Sequence, residues 1–231
     1  MRGIFSPDTE MTELPSGIWS NFPQDAREVA YDSVAAPYDW LVGNALYNRI
    51  IWGGWPSAYA RAAEKAAEAS RSDSAPVLDC GCGTLKFTAE AYRGIDPDRL
   101  TLFDYSLGMM KRAQRRLPTG FFVQGDAQNM PFESGIFGHV MSWGLLHLFG
   151  SKSPLLSELH RVMASGGKLS LSVLVKGERR SGDWTLDKLQ KSGEIVEPES
   201  RVSYETAIAS HFEIEQAYTS GSMLFVKGYK R

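Results

Sequence analysis

From Pro76 onward, short apolar runs alternate with longer amphipathic stretches. Pro76–Cys80, Leu100–Phe103, Gly120–Gln124, Ile136–Trp143 and Lys168–Val175 read as strands. Between them, Thr84–Tyr92, Ser106–Leu117 and Lys152–Met163 carry helical spacing. Ser106 is a candidate N-cap, and Ser165-Gly166-Gly167 stops the last of these helices. Strands and helices of these lengths in alternation predict parallel βαβ units. The tail differs. Glu213–Tyr218 and Met223–Tyr229 flank Thr219-Ser220-Gly221-Ser222, which predicts a β-hairpin closing one sheet edge. Upstream of Pro76, Ser57–Ala69 is rich in Ala and Glu and reads as a strong helix. Ala26–Ala36 reads as helix interrupted by Pro37, and a dense apolar group runs from Trp40 to Trp55. Residues 1–24 show no period and are expected to be a poorly structured arm, with ordering by docking on the core as the alternative. The pattern divides the chain into an arm with helices over 1–70 and an α/β core over 71–231.

Composition adds limits. The 231 residues suit one α/β domain with an appendage, and 43% hydrophobic with 23% charged residues is ordinary for a globular chain. A net charge of −2 gives no global attraction to nucleic acid or an anionic membrane. No apolar run reaches the roughly 20 residues of a membrane span, and the first residues lack a signal-peptide stretch, so a cytoplasmic location is expected. Cys80 and Cys82 are too close in sequence to pair easily, and two thiols with four scattered histidines (139, 147, 160, 211) make no metal set. Both cysteines are expected to be packing residues, and no metal is expected. The basic cluster Lys111, Arg112, Arg115 and Arg116 reads as a solvated helix face rather than a nucleic-acid patch.

The chemistry-bearing segments follow the strands. Asp79-Cys80-Gly81-Cys82-Gly83 closes the first strand before a helix. Glycines there permit close backbone approach to a ligand, and the helix presents free N–H groups. A tight structural turn is the alternative. Asp104 ends the second strand, where a carboxylate can accept from two ribose hydroxyls, and this would suit a dehydrogenase equally. Gly125-Asp126-Ala127 follows the third strand, ahead of Gln128-Asn129-Met130-Pro131-Phe132.

In order and spacing, these segments, with Ser142–Phe149, Leu159–Val173 and the upstream Tyr31-Asp32 and Tyr38-Asp39, resemble the class I methyltransferases, in particular the ubiquinone/menaquinone-biosynthesis and other small-molecule types. The resemblance covers about residues 28 to 230. It implies a Rossmann-like, seven-stranded, mostly parallel sheet with an antiparallel last strand and an N-terminal helical lid, and S-adenosylmethionine as cofactor, released as S-adenosylhomocysteine. It implies that Asp79, Gly81 and Gly83 wall the methionine half of the cofactor. Asp104 would bind the ribose, Tyr105 or Met109 would pack on adenine, Asp126 and the Ala127 N–H would meet the adenine edge, and Ser142 and Trp143 would line the methionine end. Residues 176–205 would help the lid to cover the pocket. A small-molecule acceptor is expected, with no nucleic-acid partner, no integral membrane segment, and a monomer or homodimer.

Methyl transfer from a sulfonium is an in-line displacement that needs alignment, exclusion of water and, for some acceptors, a base. His147, just past the fourth strand, is the first candidate base, against a histidine that packs and bonds to backbone. Tyr31 and Tyr38 are the next candidates, as residues of the lid. Three positions depart from the resembling family: Leu85 where glycine is usual, Gly138 in place of Asp in Phe-Asp, and Ser165 in place of proline. Leu85 is the departure expected to narrow or shift the cofactor pocket. Leu85 and the missing Asp at Gly138 together motivate a rival reading, a methyltransferase fold with a non-methylating role (cyclase- or lyase-like, or a non-catalytic cofactor-binding partner). A nicotinamide dehydrogenase is the second rival.

Overall fold

A computed structural model describes residues 3–26, 48–49, 53, 55–72, 74–178, 180–193 and 195–231. Tyr31, Tyr38, the expected helix after Ala26 and most of the apolar group from Trp40 to Trp55 lie outside the described residues.

The strands are β1 (Thr12–Glu13), β2 (Trp19–Ser20), β3 (Val77–Cys80), β4 (Leu100–Asp104), β5 (Phe121–Gln124), β6 (Phe137–Trp143), β7 (Met163–Leu174), β8 (Glu213–Ser220) and β9 (Met223–Tyr229). They form one nine-stranded sheet in the order β1-β2-β5-β4-β3-β6-β7-β9-β8. The run from β2 to β7 is parallel, and β9 is antiparallel to both β7 and β8. The terminal hairpin therefore closes one edge as the sequence predicts, with its second strand inside and its first strand outermost. The order reverses between β3 and β6. A crevice opens there at the carboxyl ends of the strands.

The described helices cover both faces. They are α1 (Trp55–Arg71), α2 (Ala89–Tyr92), α3 (Leu107–Arg116), α4 (Ser153–Val162), α5 (Arg180–Lys191) and α6 (Arg201–Ala209). One core layer joins α1 and α3 to the sheet through Ala58, Ala62, Ala63, Ala66 and Ala67, Met110 and Ala113, and Met141 and Phe225. The alanines recur at helical spacing, and their small side chains let α1 lie close to the strands. The other layer packs Leu155, Leu156 and Leu159 of α4 and Tyr204 and Ile208 of α6 on Phe103, Val140, Leu171 and Leu224. Because both faces are covered, the central strands are buried on both sides rather than on alternate residues: all four residues of β3 are buried, Asp79 among them.

Three expectations change. The arm is ordered: β1 and β2 form a hairpin about Gly17 (φ +76°) and extend the sheet past β5, so nine strands replace the expected seven. Two-residue strands are too short to show a period, and the existing sheet supplies their partners. The helix expected from Thr84 begins only at Ala89, because Leu85 sits in the left-handed region (φ +56°) and breaks the helical path. Ser165-Gly166-Gly167 lies within β7 as an irregularity between the pairs Phe137–Met163 and His139–Lys168, not in a turn before the strand.

Candidate functional site

A cavity of about 400 Å³ opens at the carboxyl ends of β3, β4, β5 and β6. That volume lies within the range of small-molecule and cofactor sites. Its wall begins in the loop after β3. The Gly81 and Cys82 N–H groups donate to the Phe103 carbonyl at 2.8 and 3.0 Å, which folds the loop over the end of β4. Gly81 has φ +78°, and a Cβ there would meet the Leu145 side chain at 2.9 to 3.2 Å. Gly83 has φ +56°, and a Cβ there would meet nothing within 4 Å. The first glycine is required by a close packing contact. The second leaves open space beside the backbone, a cradle for a ligand.

Asp104 ties this loop to the next helix. Its Oδ2 accepts from Gly83 N–H at 2.7 Å, and its Oδ1 accepts from Ser106 N–H at 2.8 Å. Ser106 in turn caps α3, its Oγ accepting from Met109 N–H at 3.1 Å. The carboxylate thus stands at the cavity wall, held in place by two backbone N–H groups. Asp126 accepts from Gln128 N–H at 2.8 Å, a local turn that fixes its carboxylate beside Ala127. Tyr105 and Met109 complete this side. Trp143, Gly144, Leu145, Leu148 and Phe149 form an apolar opposite wall.

Eight of the residues that the resemblance implied thus line one cavity: Gly81, Gly83, Asp104, Tyr105, Met109, Asp126, Ala127 and Trp143. Asp79 and Ser142 are buried and are not among its lining residues. Asp79 lies beneath the loop with neither oxygen in a well-formed hydrogen bond. Burial drives its carboxyl up to about 8; the Tyr92 hydroxyl nearby opposes this, and the Asp104 charge adds to it. Tyr92 also accepts from the Trp143 Nε1–H at 2.7 Å, which fixes the indole in the cavity wall. Cys80 and Cys82 are free, buried thiols, as expected of packing residues.

His147 is buried rather than open to the cavity. The Leu174 N–H donates to its Nδ1 at 3.4 Å, which places the ring proton on Nε2. Burial, and secondarily the Lys152 charge, hold its pKa down at about 4. In this arrangement His147 ties the β6–α4 connection to β7, and it is not among the residues that line the cavity. Leu85 also differs from expectation: its side chain is buried in the core with Cys82 and Tyr92 and does not line the cavity. None of the described residues of 176–205 lines it either. Leu145, Leu148 and Phe149 line it without having been expected to, and the apolar run around His147 is their signal in the sequence. Among the described residues no cluster of three or more His, Cys, Asp or Glu is arranged for a metal, and no helix is long and apolar enough to cross a membrane.

Residues 77–167 match the family of methyltransferase domains. The core has the class I methyltransferase fold. The chain is similar to a demethylmenaquinone methyltransferase of Chlorobaculum tepidum, 33% identical over 138 residues, 59% of this chain and 54% of the relative. The chain therefore spans about half the length of that relative. In structure the chain is similar to an S-adenosylmethionine-dependent methyltransferase of Thermotoga maritima (TM-score 0.59, 16% identity, 86% of this chain and 100% of that one). A geranyl diphosphate C-methyltransferase of Streptomyces coelicolor, in complex with S-adenosylhomocysteine, gives a TM-score of 0.58 at 13% identity over 74% of this chain and 76% of that one.

Proposed function

We propose that this chain is an S-adenosylmethionine-dependent methyltransferase acting on a small apolar or aromatic molecule in the cytoplasm. The observation that carries the reading is the joint placement of an open glycine cradle at Gly83 and two carboxylates, Asp104 and Asp126, around one cavity at the sheet's switch point. These residues fit the cofactor. Gly83 leaves room for its chain, Asp104 presents a carboxylate of the type that binds ribose hydroxyls, and Tyr105 and Met109 offer an apolar wall for a base. When bound, the cofactor supplies an electrophilic sulfonium methyl.

The rest is done by the chain. Trp143, Leu145, Leu148 and Phe149 exclude water and favour a flat, apolar acceptor over a charged one. The name of the Chlorobaculum relative, a quinone methyltransferase, supports that acceptor class. Alignment of the acceptor supplies most of the rate. Of the three residues considered for proton removal, Tyr31 and Tyr38 stay candidates, while His147 serves the scaffold. The Leu85 side chain is buried in the core and does not line the cavity, which removes one of the two motives for the non-methylating rival and leaves Gly138 as the other.

Calorimetry with S-adenosylmethionine and S-adenosylhomocysteine tests the reading. Binding of both in the micromolar range is expected. Failure of folded protein to bind either below about a millimolar would refute it.

A further inference from the structure

We infer that the amino-terminal arm is a built part of the cofactor site, with Phe22 positioning the Tyr105 ring as the wall of the nucleoside end. This rests on the methyltransferase reading above. The arm docks on both faces of the sheet. Ile18 is fully buried in the core layer of α3, and Phe5 packs with Trp19, Phe121 and Phe132 in the opposite layer. Trp19 and Ser20 pair in parallel with Val123 and Gln124 at the end of β5.

From there a chain of buried contacts leads to the cavity. Ser20 Oγ donates to Gln124 Oε1 at 2.9 Å, and Gln124 Nε2 donates to the Tyr105 carbonyl at 3.1 Å. Ser20 and Gln124 are both essentially inaccessible to solvent. Asn21 then crosses Gly125, where a Cβ would lie 2.9 Å from its Oδ1, so the glycine beside Asp126 makes room for the arm. The next residue, Phe22, meets Tyr105 edge to face, with ring centroids 5.1 Å apart at 67°. Tyr105 lines the cavity and is 52% exposed, and among the described residues Phe22 supplies its aromatic partner. A restrained ring binds a planar base at lower entropic cost than a free one. The Phe22–Tyr105 pair provides that restraint at the mouth of the cavity.

The test is S-adenosylhomocysteine calorimetry on the full chain and on Phe22→Ala, Phe22→Leu, Phe22→Tyr, Tyr105→Ala and the Phe22→Ala/Tyr105→Ala double variant, with thermal melts of each. Phe22→Ala and Phe22→Leu are expected to raise Kd by about five-fold, the scale of one aromatic pair. Phe22→Tyr, which keeps the ring, should stay within about two-fold of the unsubstituted chain. Because Phe22 acts through Tyr105, the double variant should bind no more weakly than Tyr105→Ala. An unchanged Kd in Phe22→Ala and Phe22→Leu, or additive losses in the double variant, would overturn the inference while leaving the cofactor reading intact. No binding by the unsubstituted chain would overturn both.

Discussion

Leu85 holds a backbone conformation suited to glycine, and magnitudes decide what its replacement does. Left-handed φ costs a non-glycine residue about 1–2 kcal/mol. Deleting a buried leucine side chain costs about 2–5 kcal/mol, and Leu85 is almost wholly buried. Leu85→Gly should therefore lower stability by about 2 kcal/mol net despite relieving the strain, seen as a reduced Tm. Its S-adenosylhomocysteine affinity should stay within about two-fold, since the side chain is not in the cavity wall. A large loss of affinity in calorimetry would return Leu85 to the pocket. Asp104 is the opposite case. It is anchored by two backbone N–H groups, and charge-assisted bonds to hydroxyls contribute about 1.5–3 kcal/mol. Asp104→Ala should weaken S-adenosylhomocysteine by roughly 10- to 100-fold in the same assay.

At the level of elements, the parallel core was legible because its strands are compact apolar runs set off by turn residues and helical stretches. Ser106 announced the start of α3, and its side chain does accept from Met109. The cavity's carboxylates were legible for the same reason: each stands at the end of a readable strand. What stayed hidden depends on tertiary partners. The arm hairpin has two-residue strands, and its order comes from Ile18, Trp19 and Phe5 finding sheet faces that only the folded core provides. His147 looked like a base from its place in the chain; its partner Leu174 lies a whole helix and strand away. The arm's dependence on Gly125 is testable. A Cβ there would lie 2.8 Å from the Phe103 ring and 2.9 Å from Asn21 Oδ1. Gly125→Ala should cost about 1–3 kcal/mol by overpacking. Hydrogen exchange should then accelerate at residues 18–22 before it changes in β3 or β4, because the arm is the part that can yield.

Across the whole molecule, two buried titratable groups under the site pull stability in opposite directions with pH. Asp79 takes up its proton in the folded state at about 8, against 3.8 when exposed. Below about pH 4 both states hold that proton. Above it the unfolded chain releases the proton first, so the Asp79 contribution to stability falls as pH rises toward 8. His147 is held neutral down to about 4, against 6.5 in the open. Between those values the unfolded chain binds the extra proton, so its contribution rises with pH and is complete above 6.5. From these two groups the slopes, each about 1.4 kcal/mol per pH unit, cancel between pH 4 and 6.5, and only the Asp79 decline remains from 6.5 to 8. Urea melts of the unliganded protein across this range should show that decline. In Asp79→Asn it should vanish, uncovering a rise from pH 4 to 6.5, and Asp79→Asn should be the more stable protein at pH 8. If Asp79→Asn instead tracks the parent curve at every pH, the Asp79 carboxyl is ionised in the fold and has a counter-charge. Asp79 sits directly beneath the Gly81–Gly83 loop. An ammonium group reaching the site would favour its ionised form, so S-adenosylhomocysteine should reduce the decline in the parent protein and leave Asp79→Asn unaffected.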